Sequence, residues 1–464
     1  MSARRRAAAV ASYTPAQLAE RAIYRRAIEA AIWGMPAVNY ELMYREMVRK
    51  LKGGDNQILY WSRLLDWKNQ TLTPNPDVIY LMPFINLKDV GPMVLEVPPA
   101  DDGLLNGSLM NLWQAAIEDI GPGGVDEGEG GRYLILPPGH DPLDVPAGYI
   151  PMPCDTYQAY GLVRSLLESG SEADVAKAVT YGRRMRLYPL SRADDPPETI
   201  YVDAADVLFD STIPYDLRFF ESLDRVVQAE PWLERDRVMI DQLRSIGIER
   251  GKPFRPSPKT QRILNDAMLE AKAELEARYL TGPPFYPDGH WFFPVPEELN
   301  QSIQSFFTTP DSYPVDARGT VYTFAFFSAK HVGAAQFYVL TDRDHEGKPL
   351  EGSLSYRIRV PAHVPVTKYW SMTVYDRETH AFIKNAMWVG RSSQTPGLQV
   401  NPDGSVDIFF GAKGPEGRES NWVPTELPGR FEVLARLYGP EKPLFEKTAW
   451  RLPDIERIPR RAGP

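Results

Sequence analysis

The chain has 464 residues, 43% hydrophobic and 24% charged, with a formal net charge of −9. This is a folded globular composition with enough chain for two or three domains. No long basic run offsets the acidic balance, which argues against nucleic acid as a partner. Cys154 is the single cysteine, which excludes an internal disulfide and any zinc site built mainly from thiolates.

The start, Met1-Ser2-Ala3-Arg4-Arg5-Arg6, resembles the basic region of a signal peptide. The following Ala7–Ser12 is too short and too weakly apolar for the hydrophobic region, and no run approaches the ~18 apolar residues of a membrane span. A cytoplasmic protein without a membrane partner is expected. Thr14 as N-cap and Pro15 in the first turn open a helix that runs to Trp33. Gly34 and Pro36 are expected to break or kink it, with a second helix from Ala37 to Lys52.

A stiff segment follows at Thr73-Pro74-Asn75-Pro76-Asp77. Its prolines fix φ and hold Asn75 and Asp77 in extended backbone. In the strand after it, Ile79, Leu81, Pro83 and Ile85 should face one way and Tyr80, Met82 and Phe84 the other. Met93–Val97, Ser108–Trp113 and Arg132–Leu136 are further short strands between Gly and Pro clusters, the spacing of a sandwich or barrel. The Gly-rich stretch 121–131 has neither a following helix pattern nor a Walker lysine, so it is no nucleotide cradle. Residues 156–167 form a strand or short helix, and 173–187, 215–250 and 257–280 are mainly helical. Beyond Thr281-Gly282-Pro283-Pro284 the chain reads as β, with strands expected at Val321–Phe327, Ala335–Leu340, Leu354–Val360, Tyr369–Tyr375, Val406–Phe410 and Phe431–Leu437.

The fold class expected is mainly β with flanking helices (α+β), with two jelly-roll-like antiparallel β-sandwich domains. The divisions are a helical arm (1–59), a first β domain with helices (60–214), a helical connector (215–284) and a second β domain (285–464).

The sequence is similar to a two-domain bacterial family whose halves are known as domains of unknown function 1254 and 1214. The N-terminal likeness rests on Trp33-Gly34-Met35-Pro36, on Thr73-Pro74-Asn75-Pro76-Asp77 with Tyr80, on Pro92-Met93-Val94-Leu95-Glu96-Val97-Pro98, and on Arg164 with Pro189-Leu190. The C-terminal likeness rests on Gly347-Lys348-Pro349-Leu350-Glu351-Gly352, Tyr356 and Tyr369-Trp370-Ser371-Met372-Thr373-Val374-Tyr375-Asp376. Asn401-Pro402-Asp403-Gly404-Ser405, Asn421-Trp422-Val423-Pro424 and Arg436-Leu437-Tyr438-Gly439-Pro440 complete it. The resemblance implies two jelly-roll-like domains joined by helices and a homo-oligomer. It supplies no reaction. Two departures stand out: many members look exported, and Val321–Phe326 is apolar where the family often carries an arginine.

No two of the six histidines are three or four residues apart, so there is no helical metal pair. No metal or other cofactor is expected, although spacing leaves open a site assembled from distant residues. There is no Gly-x-Ser-x-Gly elbow, and Ser371 reads as a core or hydrogen-bonding serine. What remains is a carboxylate site. Asp77 is the candidate general base, with Tyr80 or Arg164 as polarising groups. Asn75, Trp113, Trp370, Tyr375, Asp376, Asn421 and Trp422 are candidate substrate-binding residues. The leading expectation is a cofactor-independent hydrolase of a small or medium organic substrate in an aromatic-lined cleft. The alternatives are a carbohydrate- or small-molecule-binding protein without catalysis and a structural assembly protein.

Overall fold

The computed structural model describes residues 13–141, 145–326, 328–331, 336–426 and 428–459; the basic N-terminal arm lies outside them. Helix α1 (Pro15–Leu51) is one uninterrupted helix of 37 residues, opened by a capping box between Thr14 and Gln17. The break expected at Gly34 and Pro36 does not occur, because tertiary contacts compensate for both residues. Pro36 has no N–H to offer the Ile32 carbonyl. Helix α7 (Val315–Val321) packs there through Gly319, where a Cβ would come within 2.9 Å of that oxygen. The Pro36 carbonyl itself accepts from Gln114 Nε2 at 2.8 Å. A Cβ on Gly34 would stand 2.9 Å from Leu223 Cδ1, so this glycine serves close helix packing and ends nothing.

The first half of the chain supplies β1 (Gln57–Tyr60), β2 (Asn69–Gln70), β3 (Ile79–Asn86), β4 (Met93–Val97), β5 (Leu105–Asn111), β6 (Ala116–Ile120), β7 (Gly131–Leu136), β8 (Ile150–Pro153) and β9 (Gln158–Ser165). After α2 (Glu172–Gly182) come β10 (Arg186–Pro189), β11 (Tyr201–Asp203) and β12 (Phe209–Asp210). They form a six-stranded sheet, β11-β1-β3-β9-β5-β6, and a four-stranded one, β10-β4-β7-β8. Strand β3 alternates as its sequence requires. Ile79, Leu81 and Ile85 pack with Leu95, Tyr133 and Ile135 between the two sheets. Tyr80, Met82 and Phe84 face a helical core formed by α1, α3 (Leu217–Ala229), α5 (Pro258–Leu280) and α7.

Between α3 and α7 lie also α4 (Met239–Ile246) and α6 (Glu297–Gln304). The second half supplies β13 (Gln336–Thr341), β14 (Tyr356–Val360), β15 (Trp370–Asp376), β16 (Gly390–Ser392), β17 (Val406–Gly411), β18 (Trp422–Pro424) and β19 (Phe431–Tyr438). Helix α8 (Lys442–Glu446) and β20 (Glu456–Arg457) follow. Sheets β13-β19-β15-β16 and β18-β17-β14-β20 enclose Met372, Val374, Val433 and Ala435 against Ile358, Ile408 and Phe410. The other face of β13-β19-β15-β16 is also covered: Leu340, Tyr375 and Leu434 join the helical core. Both sandwiches therefore present the outer face of one sheet to the same interior.

The fold is α+β, built on antiparallel sheets with parallel pairs at some edges (β1 with β11, β7 with β8, β17 with β18). Among the described residues none closes into a barrel. Over its described residues, 321–326, the strand expected at Val321–Phe327 is instead the end of α7 and a turn, and Phe327 lies outside the described residues. Side chains hold this apolar run by its carbonyls: Asn39 Nδ2 donates to those of Tyr322 and Ala325, at 2.9 and 2.7 Å. No helix among the described residues is long and apolar enough to cross a membrane.

Candidate functional site between the two sandwiches

The rigid stretch 73–77 runs along the junction and is clamped from both sides. The Asn75 amide nitrogen donates to the hydroxyls of Tyr369 (3.0 Å) and Tyr438 (2.9 Å), whose rings stack at 4.4 Å. Its side-chain oxygen accepts from the Asp77 N–H at 3.0 Å, and its backbone N–H donates to Tyr80 OH at 3.1 Å. Tyr375 OH donates to the Pro74 carbonyl at 2.6 Å, and Arg436 Nη2 reaches the carbonyls of Thr73 (2.8 Å) and Pro74 (3.2 Å). Thr73, at φ 36°, donates its N–H to the carbonyl of His380, itself at φ 55°. Two non-glycine residues in this region cost roughly 1–3 kcal/mol each; the clamp supports that strain.

Against this strap lies a cavity of about 150 Å³. An apolar cavity of roughly this size can take up benzene. Its apolar walls include Trp61, Leu65, Met82, Phe326, Leu340 and Leu434, and its polar end carries Asn75, Tyr80, Arg164, Tyr338 and Arg436. Each sandwich contributes one cross-strand Tyr–Arg pair. Tyr80 on β3 opposes Arg164 on β9, and Tyr338 on β13 opposes Arg436 on β19. The guanidinium carbon of Arg164 is 5.4 Å from the Tyr80 ring centre, and that of Arg436 is 5.8 Å from the Tyr338 ring centre. A second cavity of about 500 Å³ shares Val295, Val321 and Tyr338 with the first.

Asn75, Tyr80 and Arg164 thus meet at one cavity, whereas Asp77 sits beside it, outside the lining. Burial raises the Asp77 carboxyl above its usual range. Ser392, Arg436, Ser371 and Arg391 favour the charged form without cancelling that effect. Tyr375 lies under the strap, stacked on Phe382 and accepting from Arg436 Nη2 at 2.6 Å. The other candidates lie away from the cavity. Trp113 packs on Trp33 at 4.6 Å, and its carbonyl accepts from Arg318. Trp370 belongs to the C-terminal core. Asp376 accepts from the Glu378 N–H in a turn. Asn421 ties Gln399 to the Asp407 carbonyl, and Trp422 Nε1 donates to the Gly411 carbonyl. Among the described residues no group of three or more His, Cys, Asp or Glu is arranged to hold a metal ion.

Arg436 and Tyr338 are the residues that sequence reasoning did not single out. The signal was present in Phe431–Tyr438: Phe431, Val433, Ala435 and Leu437 form one face, so Glu432 and Arg436 fall on the other. Every residue of this strand is buried, and a charged residue in such a strand requires a partner. Glu432 has several. His380 Nδ1 lies 2.7 Å from Glu432 Oε1, Tyr279 OH donates to Oε2 at 2.5 Å, and Arg377 Nε stands 3.5 Å away. Burial alone would raise the Glu432 carboxyl; His380, Arg377 and Tyr279 hold it below its usual range instead.

Residues 56–189 match the family model described as protein of unknown function (DUF1254), and residues 335–442 match that described as protein of unknown function (DUF1214). The chain belongs to the tandem DUF1254–DUF1214 family. The DUF1254 segment holds the strap, Tyr80 and Arg164; the DUF1214 segment holds Tyr338 and Arg436. No curated protein matches the chain. Among solved structures it is similar to the VPA0106 protein of Vibrio parahaemolyticus, with TM-score 0.57 and 17% identity over 94% of this chain and 100% of that one. It is also similar to an uncharacterized protein of Burkholderia cenocepacia, with TM-score 0.40 and 12% identity over 97% and 91% of the two chains. At these identities the likeness to VPA0106 speaks to the fold alone.

Proposed function

We propose that this DUF1254–DUF1214 protein binds a small, largely apolar organic molecule in the cavity between its two sandwiches. The observation that carries this reading is the cavity itself: an aromatic and aliphatic chamber lined by residues of both domains, with Asn75, Tyr80, Arg164, Tyr338 and Arg436 among its polar groups. Its size and walls favour a molecule of about one ring over a carbohydrate, which needs many hydrogen-bonding partners. A jelly-roll-like scaffold fits this role, since paired sheets can hold a pocket between rigid faces.

The test is a thermal-shift and calorimetric panel of neutral and anionic single-ring compounds on the full chain. Binding by at least one, lost in a Leu434→Phe variant that fills the chamber, supports the reading. Absence of binding across the panel overturns it. Catalysis by Asp77 is a second reading, favoured by the upward shift that burial gives its carboxyl. Under it, Asp77→Asn abolishes turnover of a bound compound and leaves the melting temperature nearly unchanged. Unchanged turnover removes Asp77 from the chemistry.

A further inference from the structure

Every described residue lining the inner chamber is buried or half-buried. The outer cavity of about 500 Å³ instead reaches the surface, since Gln304, His331, Phe445 and Lys447 line it and are exposed. Val295, Val321 and Tyr338 border both cavities, so at this neck no more than their side chains stands between the two. A molecule bound in the inner chamber therefore arrives through the outer one. The outer walls are apolar too. Phe293 and Phe337 stack with ring centres 5.1 Å apart, and Leu299 and Ile303 share their lining. Asp119, the one carboxylate among the described lining residues, is already satisfied by Ser108 Oγ and by the N–H groups of Lys330 and His331. The amide oxygens of Asn300 and Gln336 differ from it. Both are buried, neither accepts a hydrogen bond, and both residues line the outer cavity. A buried acceptor left unpaired is costly and calls for a donor.

We propose that the two cavities are one elongated site, whose ligand places a ring in the inner chamber and runs a flexible hydrocarbon chain past Val295, Val321 and Tyr338. The chain ends in a hydroxyl in the outer cavity, where it donates to the amide oxygen of Asn300 or Gln336. This rests on the inner cavity being a ligand site, as proposed above, and adds that the bound molecule is longer than that chamber. A methylene chain suits a narrow neck between apolar walls, and each methylene moved there from water adds to affinity. Two amide oxygens call for a donor, which a hydroxyl supplies and an ionised carboxylate does not.

The test is titration calorimetry of the full chain with benzyl alcohol, phenylpropanol, phenylpentanol and phenylheptanol, each with ring and hydroxyl at opposite ends. Affinity should rise about twofold to fourfold per added methylene. The methyl ether of phenylheptanol cannot donate, and it should bind about threefold or more weakly than the alcohol. Adsorption to an apolar surface would give the reverse order, since the ether is the more hydrophobic of the two. In Val295→Phe, which narrows the neck, affinity should stop rising with chain length. If that variant does not fold, the length series and the alcohol–ether comparison on the unaltered protein decide. No gain with length, a gain that survives in Val295→Phe, or an ether that binds as well as the alcohol overturns the elongated site. Benzyl alcohol binding without a gain from length leaves the single-ring reading standing. If no member of the series binds, this inference falls and the single-ring panel alone decides the reading above.

Discussion

Strand β19 carries two buried charged groups on one face, Glu432 and Arg436, about 13 Å apart by strand rise. Their surroundings differ in kind. Around Glu432 the charges are balanced within the protein: Arg377 and His380 face Glu432, and Arg377 also reaches Glu276 at 2.6 Å and Asp342 at 3.7 Å. Around Arg436 the partners are neutral oxygens, a second arginine shares the lining, and an open chamber adjoins them. The first cluster is complete without a ligand and fastens α5 to the C-terminal sandwich. The second satisfies the hydrogen bonds of Arg436 through neutral oxygens, and it is the one set against a cavity. Buried polar groups alone therefore do not mark a site; a cavity set against them does.

The most damaging way to break this comparison is Glu432→Gln. It strips the anion from Arg377 and His380, and loss of one partner from a buried ion pair costs about 3–5 kcal/mol. Urea unfolding should show a drop of that size, and a change below about 1 kcal/mol would mean the cluster is not structural. Asn75→Ala removes three hydrogen bonds and leaves two tyrosine hydroxyls short of a donor. At about 1 kcal/mol per bond it should cost roughly 3 kcal/mol in the same assay.

The smallest effects are those of pH, and they have opposite signs. The folded Glu432 carboxyl lies below its usual value, so its contribution is present above the unfolded value of about 4.3 and fades as pH falls through the folded one. The folded Asp77 carboxyl lies above its usual value, so its contribution is lost as pH rises from about 3.9 through the folded value. Asp77→Asn should therefore gain stability relative to the parent as pH rises across that window, whereas Glu432→Gln should lose least at the acid end. Melting temperatures from pH 3 to 8 would show equal and parallel curves if these assignments were wrong.

Much of this arrangement was legible in the sequence. The alternation in Ile79–Ile85 gave both faces of β3, and the prolines around Asn75 marked a rigid segment. Tyr80 and Arg164 were recognisable as candidates, though that they oppose each other across two strands was not. Three things stayed hidden because they depend on distant partners. Pro36 reads as a helix breaker until Gly319 and Gln114 approach it. Val321–Phe326 has strand composition, but Asn39 and Thr73 hold its carbonyls in a turn, Thr73 Oγ1 donating to that of Phe324 at 2.8 Å. Arg436 reads as an ordinary outward residue until the second face of its sheet is known to be covered. Asp77 looked like the centre of the site because the rigid loop presents it, yet the loop turns Asn75 towards the chamber lining and leaves Asp77 beside Ser371 and Ser392.

The most direct measurement is a crystal structure of the protein soaked with benzoate. The account predicts the benzoate ring in the chamber, among Trp61, Leu65 and Phe326. Benzoate bound elsewhere, or a chamber that stays empty of it at saturating concentration, would contradict the account.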